Sequence, residues 1–180
     1  SNHPEAIALF LALSARPHPL MVLPSEPRLW HTDPAIPLGT TLVLAPIFRS
    51  LAVEGERRGL RVLVGPEVRS GGSPSPSPRP FLTFPGVVGF TSGSTGWPKP
   101  VYHTTTALLE HARVVIDLLG LRFGDGILTA LPVESSHGLT NTLLPAVLLG
   151  SRLGLVDRFE HRAVLSLFST GDYRYFPCTP

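Results

Sequence analysis

The segment from Thr91 to Lys99 concentrates residue types that bind phosphate groups. Its glycines let backbone N–H groups approach a ligand more closely than a Cβ would allow. Its hydroxyls can donate to phosphate oxygens or ligate Mg²⁺, and Lys99 adds a compact positive charge. The sequence therefore predicts a polyphosphate-binding loop, with the candidate binding residues Thr91, Ser92, Gly93, Ser94, Thr95, Gly96 and Lys99.

The residues around this loop separate it from the two common nucleotide-binding fingerprints. An apolar run at residues 87–90 leads into the loop and predicts a buried strand. Lys99 comes three residues after Gly96, so the G-x-x-x-x-G-K-[ST] pattern is not met, and no G-x-G-x-x-G opens a helix. The loop is therefore a phosphate site of another kind, and a surface turn rich in Ser, Thr and Gly is the alternative.

Lysine usage singles out the same position. The chain has 15 lysines and arginines together, and every one except Lys99 is arginine. The rigid guanidinium fork and the mobile ammonium are not interchangeable at a phosphate. The position of the single lysine is suggestive of a phosphate-binding role.

Phe90 to Lys99 resembles the phosphate-binding signature of the adenylate-forming superfamily, [YF]-T-S-G-[ST]-T-G-x-P-K-G. The superfamily comprises acyl-CoA synthetases, aryl-CoA ligases and the adenylation domains of peptide synthetases. Every fixed position from Phe90 to Lys99 matches, and Pro100 replaces the final glycine. The resemblance extends from about Val87 to Pro180, so the chain is identified as the N-terminal portion of such an enzyme.

This resemblance implies an activity. Members activate a carboxylic acid with ATP and Mg²⁺ to an acyl-adenylate, then transfer the acyl group to a thiol of CoA or of carrier-protein phosphopantetheine. Lys99 would be the catalytic residue, and residues 91–96 would hold the β- and γ-phosphates. The alternative is a truncated, non-catalytic binding or scaffold fragment that keeps the fold and forms a homodimer through surface exposed by truncation.

A second segment resembles the family pattern P-x-x-H-x-[FY]-G-L, which lines the acid-substrate pocket. Residues 132–139 keep its proline, glycine and leucine, whereas Ser135 stands in the place of the histidine and His137 in the place of the aromatic residue. The resemblance implies that Ser135, His137 and Gly138 line the substrate pocket. A serine hydrolase is excluded as a reading of Ser135 and His137, because no G-x-S-x-G elbow is present.

Alternating apolar and helical patterns predict an α/β fold, with a mostly parallel sheet flanked by helices. We expect one domain, residues 1–180, with a Gly/Ser/Pro-rich loop at 71–80. The predicted helices cover 4–14, 48–58, 104–119, 137–149 (with a kink at Pro145) and 163–168. The predicted strands cover 20–23, 41–45, 61–65, 87–90, 101–103, 127–131, 153–156 and 173–176.

Composition excludes several classes of protein. Hydrophobic residues make up 43% of the chain and charged ones 16%, which is typical of a folded globular domain. A net charge of +2 does not indicate a nucleic-acid partner, and no apolar run is long enough for a membrane span. No metal-ligand spacing is present among the seven histidines. A single cysteine, Cys178, predicted at a buried strand end, favours the reducing cytoplasm.

Overall fold

The computed structural model describes residues 2–23, 36, 40–65, 84–91, 99–156 and 159–178. These residues form two compact units: the first unit is residues 3–102, and the second unit is residues 1–2 with 103–180. The Gly/Ser/Pro-rich loop at 71–80 lies outside the described residues. The expectation of a single domain concerns how the units are joined, and it stays a prediction.

The first unit begins with helix α1 (Pro4–Ser14), whose N-terminus is capped by His3 Nδ1 accepting from the Glu5 N–H at 3.3 Å. Strand β1 (Leu20–Met21) pairs in parallel with β4 (Gly86–Thr91), and β5 (Lys99–Thr104) is the next strand of the same sheet. The predicted strands at 20–23 and 87–90 are therefore present, the first shorter and the second longer than expected.

A βαβ arrangement forms the other sheet of the first unit. Strands β2 (Thr41–Leu44) and β3 (Arg61–Val64) pair in parallel, and helix α2 (Ala52–Arg57) lies between them in the chain. The helix predicted over 48–58 is divided, because a 3-10 helix (Pro46–Leu51) with a non-helical Phe48 precedes α2. The core of this sheet is made by two buried leucines of β2, Leu42 and Leu44.

The second unit continues from β5 into helix α3 (Thr105–Leu119). Thr104 Oγ1 accepts from the Ala107 N–H at 3.2 Å, which caps the first turn. Gly120 ends the helix with φ at +59°, a left-handed conformation that glycine adopts without steric cost. The predicted helix over 104–119 is thereby confirmed, together with its stop.

Strand β6 (Ile127–Thr129) is completely buried and pairs in parallel with β7 (Leu153–Leu155). The strand predicted at 173–176 is wrong: only Tyr175 bridges to Ile127, and the ladder does not continue because Pro177 has no N–H to donate. Cys178 is exposed, so its predicted burial at a strand end is also wrong. The last helix, α6, covers His161–Ser169.

Between β6 and β7 the chain forms one helical run of three parts. It begins as α4 (Ser136–Gly138), widens into one π-helical turn (Leu139–Leu143) and continues as α5 (Leu144–Leu148). An interior proline lacks the N–H that an α-helix requires and crowds the carbonyl four residues before it. The wide turn lies directly before Pro145, which accounts for the interruption predicted at that residue.

Strand β1 pairs in parallel with β4, β2 with β3 and β6 with β7, and helices alternate with strands along the second unit. The α/β prediction is therefore confirmed, with the strands divided among small sheets in the described part of the chain. Within the described residues, no helix has the length and apolarity that a membrane crossing needs.

Candidate active site

The structure describes two of the phosphate-loop candidates, Thr91 and Lys99. Thr91 is the last residue of β4, and Lys99 is the first residue of β5, which neighbours β4 in the sheet. The structure therefore brings the two ends of the predicted loop to adjacent strands, with an exposed Lys99. The other candidates, Ser92, Gly93, Ser94, Thr95 and Gly96, lie outside the described residues.

The strand that leads into the loop is firmly anchored in the first unit. Val87 is only 2% exposed and pairs with Leu20 of β1. Just before the strand, the Phe84 N–H donates to the Ser14 carbonyl at 3.1 Å, and the Phe84 ring meets Phe10 edge to face at 6.2 Å. The strand predicted to lead into the loop is therefore present, with Val87 buried and residues 88–90 half-buried.

Ser135 and Gly138, two of the three substrate-pocket candidates, bind each other. The Ser135 hydroxyl accepts from the Gly138 N–H at 2.9 Å and donates to the Pro132 carbonyl at 2.7 Å. Ser135 is therefore the N-cap of α4. Its hydroxyl proton is already engaged with a backbone carbonyl, so its present role is to shape the turn.

Gly138 allows a close backbone approach. A Cβ at this position would lie 2.0 Å from the Pro132 carbonyl oxygen and 2.9 Å from the Val133 Cα. Backbone atoms cannot move aside as a flexible side chain can, so only glycine fits here. The third candidate, His137, lies between Ser136 and Gly138 with an exposed side chain.

Sequence reasoning missed a polar cluster on the helical run after the candidates. His111 of α3 contacts Asn141 through its Nε2 and the Asn141 Oδ1 at 2.9 Å, which joins α3 to the π-helical turn. Thr140 Oγ1 donates to the Ser136 carbonyl at 2.9 Å, and Thr142 Oγ1 donates to the Gly138 carbonyl. Three successive polar residues inside a leucine-rich helical run were the available signal.

Asn2 was also missed, and the sequence carries no local signal for it. Its side chain is 8% exposed, accepts from the Val133 N–H at 3.0 Å and donates to the Val156 carbonyl at 3.2 Å. Both partners follow carboxyl ends of paired strands, Val133 after β6 and Val156 after β7. Asn2 thus belongs to the surroundings of the substrate-pocket candidates.

Electrostatic features around these candidates are sparse in the described part of the chain. No group of three or more His, Cys, Asp or Glu residues there is arranged to hold a metal ion. Burial raises the pKa of the Tyr175 phenol above 10.0, and the nearby Cys178 raises it further. Tyr175 belongs to the core below β6 with Leu121 and Ile127, so it stabilises the fold around the site.

Comparisons with known proteins agree with this arrangement. The family model described as AMP-binding enzyme matches residues 42–180. An indoleacetate–CoA ligase of Aromatoleum aromaticum is 36% identical over 92 residues, covering 51% of this chain and 18% of that protein. A malonate–CoA ligase of Arabidopsis thaliana is 32% identical over 80 residues, covering 44% of this chain and 13% of that protein. This chain thus spans a small part of the relatives it matches.

Solved structures support the fold over nearly the whole chain. The amide bond synthetase McbA from Marinactinospora thermotolerans has a TM-score of 0.61 and 26% identity, covering 95% of this chain and 36% of that one. The O-succinylbenzoate CoA synthetase MenE from Bacillus subtilis, in complex with ATP and magnesium ion, has a TM-score of 0.67 and 19% identity. That match covers 98% of this chain and 47% of MenE.

The resemblance inferred from Phe90 to Lys99 is confirmed by these matches, and the family match begins earlier in the chain, at residue 42. The α/β fold is that of the N-terminal domain of adenylate-forming enzymes. The chain belongs to the AMP-binding enzyme family.

Proposed function

We propose that this chain carries the phosphate-binding and acid-binding parts of an enzyme that activates a carboxylic acid with ATP. The product is an acyl-adenylate, and the acyl group then passes to a thiol. The observation that carries the proposal is that the adjacent strands β4 and β5 flank the hydroxyl- and glycine-rich segment, with Lys99 at the start of β5. Membership of the AMP-binding enzyme family supports it.

In the proposed reaction a carboxylate oxygen attacks the α-phosphorus of ATP. A new acyl–O–P bond forms, the bond from the α-phosphorus to the bridging oxygen breaks, and pyrophosphate leaves with the electron pair. The backbone N–H groups and hydroxyls of residues 91–96 hold the β- and γ-phosphates, and Lys99 stabilises the charge that develops on the leaving group. The protein positions the reactants and forms no covalent intermediate.

The loop also fits the metal that accompanies a nucleotide triphosphate. Mg²⁺ prefers hard oxygen ligands and keeps several waters, and the Ser and Thr hydroxyls of the loop are donors of that type. When bound, Mg²⁺ would supply neutralisation of phosphate charge. In the same step, Lys99 contributes a mobile ammonium that follows the departing pyrophosphate.

On the acid side, we propose that residues 132–138 form one wall of the substrate pocket. Ser135 shapes the turn, because its proton is engaged with Pro132, and Gly138 leaves the room that the turn needs. His137 is the candidate with an exposed side chain, so it is the group that can donate to a carboxylate. The relatives named for malonate and indoleacetate make a small organic acid the substrate class to test first.

CoA is the acceptor we propose for the second step, because the curated relatives are named as CoA ligases. Carrier-protein phosphopantetheine offers the same thiol chemistry and is the other acceptor to compare. Cytoplasmic location and homodimer formation stay predictions from the sequence.

The test is carboxylate-dependent ATP–pyrophosphate exchange by the natural protein that carries this sequence, with malonate and indole-3-acetate as probes. Lys99→Ala should lower the exchange rate by about 100-fold, which is the effect of removing one donor from a developing anion. Circular dichroism should show an unchanged fold, because Lys99 is exposed.

Arg61→Ala is the matched control, because Arg61 is also an exposed cation at the first residue of a strand in the same unit, β3. It should keep the wild-type exchange rate. Full exchange by Lys99→Ala, or an equal loss in both variants, would contradict the proposed role of Lys99.

A further inference from the structure

Asn2 bridges two segments that are far from it in sequence. Its Oδ1 accepts from the Val133 N–H at 3.0 Å, and its Nδ2 donates to the Val156 carbonyl at 3.2 Å. The side chain is 8% exposed, so neither bond is readily replaced by water. A buried amide with both ends engaged is an arrangement that stabilises one local geometry.

The two segments follow the carboxyl ends of neighbouring parallel strands. Val133 comes after β6 and Val156 directly after β7, where the Val156 N–H also donates to the Thr129 carbonyl at 2.9 Å. In α/β proteins, ligands bind outside the carboxyl ends of parallel strands. Asn2 therefore acts at the edge of the β6–β7 sheet where a substrate pocket is expected.

The peptide group between Pro132 and Val133 links Asn2 to the candidate residues, because its N–H binds Asn2 and its carbonyl binds Ser135. The Pro132 carbonyl accepts from the Ser135 N–H at 2.9 Å and from its hydroxyl at 2.7 Å. The same hydroxyl accepts from Gly138 at 2.9 Å, and the Ser135 carbonyl accepts from Leu139 at 2.9 Å. Asn2 thus holds the peptide of Pro132 and Val133 at the start of a turn, and α4 begins at the other end of that turn.

The chemistry at both ends requires an amide. Val133 offers a donor and Val156 an acceptor, and an Asn side chain presents one group of each kind. A carboxylate at position 2 would keep the bond to Val133, but it would place an oxygen opposite the Val156 carbonyl. An alanine would lose both bonds, and the half-buried Val133 N–H would lose its Asn2 acceptor, which is costly.

We propose that Asn2 is a positioning residue that holds residues 132–138 in place as a wall of the acid pocket. This proposal rests on the proposed function for its consequence in substrate binding. Asn2 acts through Val133 and the turn, not through contact with the acid itself.

Amide hydrogen exchange of the 180-residue chain tests the positioning directly. Asn2→Ala should raise the exchange rates of Val133, Ser135 and Gly138 by about tenfold, as expected when a buried hydrogen-bonded clamp is removed. Asn2→Asp is the matched variant: it keeps an acceptor for Val133, so the Val133 rate should stay within about threefold of wild type.

Leu108 and Ala112, buried on α3 in the same unit, serve as internal controls. Their exchange rates should not change in either variant. Unchanged rates at Val133, or an equal increase at Val133 and at Leu108, would overturn the proposal, because the first shows no clamp and the second shows general destabilisation.

Steady-state ATP–pyrophosphate exchange assays separate this proposal from the proposed function. Asn2→Ala should raise the KM for malonate or indole-3-acetate about fivefold or more and leave the KM for ATP within about twofold, since the clamp acts on the acid side alone. If Lys99→Ala abolishes activity and Asn2→Ala leaves the acid KM unchanged, the positioning role fails alone. If Lys99→Ala has no effect on ATP–pyrophosphate exchange, the proposed function fails. Faster amide hydrogen exchange at Val133 in Asn2→Ala would then show that Asn2 holds the turn but has no role in substrate binding.

Discussion

The predicted phosphate loop (residues 91–99) and the proposed acid-pocket segment (residues 132–138) owe what they offer a ligand to different causes. Residues 91–99 join two neighbouring strands, β4 and β5, and what they offer a ligand follows from residue type: hydroxyls, backbone N–H groups freed by glycine, and one lysine. Residues 132–138 are shaped by their own hydrogen bonds, through Ser135 and Pro132, and by Asn2, which is 131 positions away from Val133.

This difference explains how far each segment can depart from the family pattern. The phosphate loop keeps every fixed position from Phe90 to Lys99, and in the proposed mechanism residues 91–96 and Lys99 bind phosphate directly. The acid-pocket segment keeps the proline and glycine that determine its backbone, while Ser135 and His137 differ from the pattern. The hydrogen bonds that shape the turn run through Pro132, Ser135 and Gly138, so the exposed His137 can differ from the pattern without breaking them.

The largest expected effect compares a glycine of the acid-pocket segment with a glycine of β4, the strand that precedes the phosphate loop. Gly138→Ala should lower the free energy of unfolding by about 3 kcal/mol, because the new Cβ meets backbone atoms that cannot move aside. Gly89→Ala in β4 is the control, since a Cβ there has no atom within 4 Å. Urea unfolding followed by circular dichroism measures both, and equal stabilities would contradict the close approach at Gly138.

A smaller effect tests whether the phosphate side depends on residue type or only on charge. Lys99→Arg keeps the charge, and we expect the ATP–pyrophosphate exchange rate to fall about tenfold, or about 1.4 kcal/mol, because the guanidinium fork fits a different geometry. Arg61→Lys, the reverse change at the start of β3, should have no effect. Wild-type exchange by Lys99→Arg would show that charge alone suffices.

Loss of the α4 cap tests whether the Ser135 hydroxyl stabilises the acid-pocket segment. Ser135→Ala should lower the free energy of unfolding by about 1 kcal/mol, because the Gly138 N–H loses its partner. Ser135→Thr should restore most of that stability, and Ser136→Ala is the neighbouring control. Faster amide exchange at Gly138 in Ser135→Ala identifies the cap as the cause, and equal losses in Ser135→Ala and Ser136→Ala would argue against it.

The smallest expected effect is on the pH dependence of stability, through Tyr175 in the core around β6. The pKa of Tyr175 is raised by burial and by Cys178, so the folded state holds the phenol proton more tightly than the unfolded state does. Its contribution is fully present below about pH 10 and is lost as pH rises through the folded-state pKa. Stability should therefore fall less steeply in Tyr175→Phe above about pH 10. Identical urea-unfolding profiles for the two proteins across that range would contradict the shift.

Local patterns predicted most of the elements but not their ends. Helix α3 follows its prediction closely, because both its cap, Thr104, and its stop, Gly120, are adjacent to it in sequence. The strand predicted at 173–176 is reduced to one bridge, because its pairing depends on β6, which lies far away in the chain, and on Pro177, which has no N–H to donate. The prediction that Cys178 is buried was wrong for the same reason, since burial depends on which residues pack against a side chain.

The sequence alone determined the family and the α/β class, and it predicts the phosphate-binding residues, because these depend on residue types at short spacing. Only the tertiary structure decided how the acid-pocket turn is held. Ser135 is a cap, Gly138 lies against Pro132, and Asn2 bonds Val133 and Val156. The Asn2 bonds join positions more than a hundred residues apart, and no local pattern records them, because a single asparagine near a helix start looks the same whether its amide is solvated or buried between two strand ends.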